Sequence, residues 1–155
     1  MKVDASLDNQ EITSMQLTDP NTILQNHIEG KLWLAPPQIW EISRMSNFFK
    51  FKDLKSFAKE RECHGCETWL PVLKLCSDGH YSVYPGDDMY PETPDYEGKQ
   101  SVEVNDNESV YDQTFDSQNL NRMLQLGPHD YSIHVNVKDP FGHMVPISAS
   151  NPFKT

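Results

Sequence analysis

The strongest constraint on the fold is a turn. Trp69 to Cys76 and His80 to Tyr84 are two apolar, strand-like runs separated only by Ser77-Asp78-Gly79. So short a connection between such runs predicts an antiparallel hairpin. A second hairpin is predicted from about Leu120 to Lys138, with Gly127-Pro-His-Asp as its turn. On its second strand Tyr131, Ile133, Val135 and Val137 share one face, and His134 and Asn136 share the other. The N-terminal half reads differently. Thr18 or Asp19 caps a helix starting at Pro20, with Ile23, Leu24 and Ile28 on its apolar face and Gly30 as its stop. Pro36-Pro37 ends an extended segment and opens a second helix, from about Pro37 to Phe49, in which Ile39, Ile42, Met45 and Phe49 recur at helical spacing. A third helix begins with Asp53 as N-cap and buries Leu54, Phe57 and Ala58. Ile12 to Leu17 alternates weakly, as an edge strand would. The expected class is α+β, with helices in the N-terminal half and β-hairpins in the C-terminal half.

The 155 residues are the length of one ordinary domain. A globular chain of this size buries about 70% of its unfolded surface. The hydrophobic content of 37% and a mean hydropathy of -0.65 are low for a packed core, and eleven prolines point to many loops. No apolar run approaches the roughly 20 residues of a membrane helix, and Met1 to Gln10 lacks the regions of a signal peptide. The net charge of -10 is concentrated. Residues 87 to 117 hold ten acids and Lys99 as the single base. That block predicts a solvated, partly disordered acidic loop over 91–118, with a cation-binding or docking segment as the alternatives. Nucleic acid is not expected as a partner, since an acidic chain offers little to neutralise phosphates, and no membrane partner is expected.

Several residue groups invite a chemical reading. Cys63-His-Gly-Cys66 with Cys76 and His80 comes close to zinc spacing. A redox pair and unpaired loop and core cysteines are the competing readings, and the hairpin, which puts Cys76 in a strand and His80 beyond a tight turn, favours the last. Three cysteines and no signal fit a reducing compartment. No Gly-x-Ser-x-Gly elbow occurs. His134 reads as a surface or cross-strand residue. Asp87-Asp88, after Pro85-Gly86, could hold a cation but reads first as a solvated turn. Trp33, Trp40 and Trp69 either pack the core or line a pocket.

The order of these pieces carries a resemblance. Leu32-Trp-Leu-Ala-Pro-Pro-Gln-Ile-Trp-Glu-Ile, Trp69-Leu-Pro-Val-Leu and Pro85-Gly-Asp-Asp-Met-Tyr resemble the C-terminal part of one Nudix hydrolase branch. That branch is the acyl-coenzyme A diphosphatases called nucleoside diphosphate-linked moiety X motif nineteen proteins. Glu11 to Leu24, Leu120-Asn-Arg and Tyr131 to Val137 extend the likeness to roughly residues 10 to 147. It implies a flexible tail over 1–10, a Nudix-like portion over 11–147 and a second tail over 148–155. It also implies cleavage of the coenzyme A diphosphate to 3',5'-ADP and 4'-phosphopantetheine or its acyl form, with magnesium or manganese as cofactor. Substrate contact is expected from Trp33, Gln38 and Trp40.

The Nudix carboxylate pattern itself does not occur. Arg61-Glu62 is the one Arg-Glu pair, and Cys63, His64 and Gly65 follow it where paired glutamates would stand. The chain alone is therefore expected to be inactive, with no catalytic or metal residue of its own. A non-catalytic interaction module related to the family is the alternative. The resemblance implies an intracellular setting, peroxisomal or mitochondrial, although the chain carries no targeting signal. A portion lacking its partner strands would leave Ile23, Leu24, Ile28, Ile39 and Ile42 bare and self-associate through them.

Overall fold

The computed structural model describes residues 15–65, 68–115, 117–139 and 142–147. Three helices occupy the N-terminal half: α1 (Pro20–Ile28), α2 (Pro36–Met45) and α3 (Phe51–Arg61), the last running into a 3-10 turn over Glu62–His64. The strands follow: β1 (Val72–Cys76), β2 (Gly79–Val83), β3 (Glu103–Asn105), β4 (Asn121–Gly127) and β5 (Asp130–Val135), with a short helix α4 (Val110–Phe115) between β3 and β4. The α+β class and both hairpins are as the sequence predicts. Among the described residues no helix is long and apolar enough to cross a membrane.

The strands form one five-stranded sheet in the order β3-β1-β2-β4-β5. Only β1 and β3 run parallel; the other neighbours are antiparallel. The first hairpin pairs Cys76 with Gly79 and Val72 with Val83. The glycine that signals this turn does so for an unexpected reason. A Cβ at Gly79 would lie 2.3 Å from the Gln125 carbonyl oxygen, so its backbone runs too close to β4 for any side chain.

Both faces of the sheet are covered. Leu24 of α1, Ile39 and Trp40 of α2 and Leu34 between them meet Tyr84, Met123, Tyr131 and Ile133 in one cluster, with Ile23, Ile28 and Ile42 packed against it. The apolar helix faces expected to be bare are therefore packed, Leu24 and Ile39 buried and Ile23, Ile28 and Ile42 half-buried, because strands β4 and β5 of the same chain supply the surface they need. On the opposite face Tyr81, Val83, Val110 and Leu124 form a second cluster. Val110 belongs to the acidic stretch, and is fully buried. The stretch from 91 to 118 is thus not bare loop: β3 pairs with β1, and the Val110 amide donates to Asp78 Oδ1 at 2.8 Å, tying α4 to the first hairpin turn.

The N-terminal elements differ in detail from the sequence pattern. Asp19 caps α1, its Oδ1 accepting from the Thr22 amide at 3.0 Å. Helix α2 stops at Met45, four residues early, and its inner face is Ile39, Trp40, Ser43 and Arg44. Met45 and Phe49 point to solvent, Phe49 at 95% exposure. Helix α3 starts before Asp53, with Lys50 at its N-cap position and no side-chain cap bond, and buries none of its residues; Leu54 and Phe57 are half-buried and Ala58 is exposed. Of the weak strand at Ile12 to Leu17, residues 12–14 lie outside the described residues. Met15 to Leu17 is exposed and forms no strand.

Candidate functional site

Helix α2 carries Trp40 and Arg44 one turn apart, so both reach the same end of the sheet. There Trp40 stacks on Tyr84, ring centroids 3.8 Å apart, and is 2% exposed. The Arg44 guanidinium lies 4.4 Å from the centroid of Trp69 and 5.9 Å from that of Trp40. Delocalised charge over an aromatic face is a favourable arrangement, and it keeps Arg44 tolerable at 7% exposure. Its Nη1 donates to Glu41 at 3.1 Å and its Nη2 to Asp139 at 3.3 Å. The segment over 142–147 is held across α2: the Ile147 amide donates to the Ser43 carbonyl at 3.2 Å and Asn47 Nδ2 to the Val145 carbonyl at 2.9 Å.

These pieces enclose a hollow of ≈ 230 Å3. Trp40, Trp69, Val135, Val137, Met144 and Val145 make apolar walls, and Arg44, Lys138 and Asn121 bring polar groups. Gly86 sits on its rim with φ of +95°, a conformation that favours glycine, and a Cβ there would meet Val137 Cγ2 at 3.4 Å. Trp40 Nε1 and Arg44 Nε are buried and have no hydrogen-bond partner among the described residues. Burial also holds the Tyr84 phenol well above its ordinary pKa, with the Glu41 charge adding to it.

Beside the hollow is an ion pair that the sequence reading missed. Arg122 Nε donates to Asp87 Oδ2 at 2.8 Å and Nη2 to Oδ1 at 2.6 Å, both side chains being fully buried. Asp87 also accepts from the Asn121 and Met89 amides, and Arg122 donates to the Gln113 carbonyl and to Ser117 Oγ. Asp88 accepts from the Gln118 and Asn119 amides and from Asn119 Nδ2. Those bonds hold the Asp88 carboxyl below its ordinary pKa.

The fit of a magnesium or manganese ion can be tested against this pair. Such an ion takes about six oxygen ligands. The Asp87 carboxylate is buried on Arg122, the exposed Asp88 carboxylate accepts from the Gln118 and Asn119 N–H groups, and no three His, Cys, Asp or Glu side chains gather around one point among the described residues. The residues described do not fit the ion. Of the cysteine-motif residues, Cys66 lies outside the described residues; among the others Cys63 is exposed, Cys76 pairs with Gly79 across the hairpin, His80 Nε2 lies 3.0 Å from Gln125 Oε1, and no three of them meet at one point. Burial raises the Cys76 thiol pKa.

The three residues expected to touch substrate are not brought together. Trp40 lines the hollow described above. Trp33 is 63% exposed and borders a separate one with His80, Gln125 and Pro128. Gln38 caps α2, its Oε1 accepting from the Ala35 amide at 2.9 Å. The roles of Arg44 and Asp87 as buried ion-pair members were invisible because their partners, Asp139 and Arg122, stand 95 and 35 positions away. The spacing of Trp40, Ser43 and Arg44 was the available signal for the α2 face.

A histidine pair completes the region. His27 is fully buried, with its ring centroid 5.0 Å from that of His129 and 5.7 Å from that of Tyr131. Its Nδ1 accepts from the Leu34 amide at 3.2 Å, which ties α1 to the start of α2. Burial, then the neighbouring His129, lowers the His27 pKa; burial, then the Arg122 charge, lowers that of His134, which lies across from Arg122 in β4. Both are held neutral in the fold while the unfolded chain takes up protons near pH 6.5. Stability is therefore full above that pH and lost as pH falls through it. The melting temperature is expected to drop between about pH 7 and pH 5.5, and His27→Gln to flatten that part of the curve. A melting temperature that stays constant over the interval would contradict the neutral-histidine reading.

The sequence matches the NUDT19 C-terminal domain over residues 73–136. It is 34% identical over 142 residues to the acyl-coenzyme A diphosphatase NUDT19 of Gallus gallus, covering 92% of this chain and 38% of that protein. The Xenopus laevis protein of the same name is 33% identical over 147 residues, covering 95% of this chain and 38% of the relative. The Homo sapiens protein is 31% identical over 137 residues, covering 88% and 36%. The chain thus spans well under half the length of each of these curated relatives. No solved structure matches. The matched region runs from the first hairpin through the last strand of the sheet, so this stretch of the chain carries the pattern of the NUDT19 C-terminal domain.

Proposed function

We propose that this chain forms the substrate side of an acyl-coenzyme A diphosphatase, and that the hollow between Trp40, Arg44 and Trp69 receives part of the coenzyme A ester. The observation that carries the reading is the pair of buried donors without partners, Trp40 Nε1 and Arg44 Nε, on two side chains that line one hollow. Buried donors are otherwise almost always bonded. Apolar walls with a few convergent polar groups are the usual make-up of a small-molecule site. At ≈ 230 Å3 the hollow is below the roughly 300–1,000 Å3 of a site for a whole drug-sized ligand, so it takes a portion of the substrate. The names of the relatives supply the substrate class.

Metal-dependent cleavage of the diphosphate, to 3',5'-ADP and the acyl-4'-phosphopantetheine, lies outside what these residues do. Asp87 and Asp88 are engaged with Arg122 and with backbone amides, and no other cluster of three such ligands occurs among the described residues. The peroxisomal or mitochondrial setting implied by the resemblance belongs to the same proposal.

The test uses the purified chain, a coenzyme A ester, and either magnesium or manganese. Quenching of tryptophan fluorescence on addition of the ester is expected, with no release of 3',5'-ADP above a heat-killed control. Turnover that disappears on chelation would show that some other set of carboxylates does the chemistry. Fluorescence indifferent to the ester would remove the hollow from the substrate path.

A further inference from the structure

We infer that α3 and the turn before it form a peripheral docking surface for an anionic phospholipid bilayer. Five of the thirteen basic residues of this acidic chain, Lys50, Lys52, Lys55, Lys59 and Arg61, fall within twelve positions that hold two acids, Asp53 and Glu60. All four lysines are exposed, and none makes an ion pair among the described residues. Free cations so close together repel one another unless a counter-charge arrives.

Apolar side chains stand among them. Phe49 is 95% exposed, Phe51 64% and Met45 42%. On the helix, Phe51 and Ala58 occupy one strip with Lys55, Lys59 and Lys52 beside it. Leu54 and Phe57 lie on the other side of that strip and are half-buried, with Phe57 in ring contact with Phe48 at 5.1 Å. The inward edge of α3 is thus occupied, and what faces outward is aromatic and cationic.

That pairing of chemistries selects the occupant. Aromatic and aliphatic side chains enter the boundary between headgroups and acyl chains to a depth of about 5–10 Å, while lysines on long stems meet the phosphates. A folded protein partner would need a matching concavity or a complementary relief. The hollow walled by Trp40 and Trp69, the one along Val72 and Glu103 and the one beside Trp33 and His80 use no residue of 46–61. Phe49 projects instead of receiving, and a fluid surface accommodates a projection without a pre-shaped counterpart. The overall charge of -10 argues against a membrane partner, but it is the local charge that acts within a Debye length of the bilayer, about 8 Å at physiological salt. The inference stands independently of the substrate hollow, which lies on other residues.

Sedimentation of the full chain with vesicles tests it. Binding is expected to phosphatidylcholine vesicles that contain phosphatidylserine, to vanish on pure phosphatidylcholine, and to weaken steeply as salt rises. Phe49→Ser, at a position that packs against nothing, is expected to weaken the partition roughly tenfold. Replacing Lys52, Lys55 and Lys59 by glutamine is expected to weaken it by about a hundredfold, at about fivefold for each cation lost. Circular dichroism melts of these surface variants should match the parent. Failure to sediment with the anionic vesicles at low salt would overturn the inference. So would binding that both sets of variants leave unchanged. Gel filtration showing that Phe49→Ser converts a dimer into a monomer, without any lipid effect, would assign the patch to a second copy of the chain instead.

Discussion

Replacing Arg122 by leucine is expected to bring this fold close to unfolding in water. The substitution leaves the Asp87 carboxylate fully buried, without the bidentate partner that now sits 2.6 and 2.8 Å from its two oxygens. Breaking a buried pair in this way costs about 3–5 kcal/mol, against a total stability of about 5–15 kcal/mol for a domain. The damage also spreads, because Arg122 holds the Gln113 carbonyl and Ser117 Oγ, and so secures the segment that returns to β4. Urea titration gives the loss directly as a fall in midpoint at constant slope. Adding Asp87→Ala to Arg122→Leu should cost much less than the two single losses combined, since no buried charge is then stranded. Additive losses would mean that the two side chains act separately.

Trp40→Ala is expected to cost a comparable amount, about 3–5 kcal/mol, by the other route of an unfilled core. Trp40 is 2% exposed and stacks on Tyr84 with planes inclined by 23°. It joins α2 to the sheet and also walls the hollow, so its removal takes away packing on both sides. Trp40→Phe, which keeps a ring over Tyr84, should lose only a smaller part. The readout is again the denaturation midpoint. A midpoint for Trp40→Ala within experimental error of the parent would show that the surrounding side chains collapse into the space.

The features legible in the sequence were those encoded by near neighbours. Ser77-Asp78-Gly79 announced the first hairpin, Gly127-Pro-His-Asp the second, and Asp19-Pro20 the start of α1. The alternation from Tyr131 to Val137 gave the correct faces of β5. What was lost in each case depended on a partner far along the chain. The α2 stripe through Met45 and Phe49 failed because the helix ends at Met45, and because stacking on Trp69 makes a charged residue an acceptable inward neighbour. The Asp87-Asp88 pair looked like a solvated turn because nothing local announces Arg122. The acidic stretch looked empty because β3 is three residues long and takes its pairing from β1. The helix faces looked orphaned because the likeness to a larger domain drew attention to strands beyond this stretch and away from β4 and β5.

The strand order also bears on how the chain reaches its fold. β1 with β2, and β4 with β5, close through tight turns and can pair on the timescale of microseconds. Pairing β2 with β4 aligns residues 80–83 with 122–125, which requires the whole acidic segment between them to be drawn into a loop. The entropy of that closure is spent before its contacts are made, and like charges along the segment oppose its contraction. The encounter between the two hairpins is therefore expected to be the slow step of folding. The Asp87–Arg122 pair, one residue from either side of the same meeting point, can dehydrate only once that encounter has occurred.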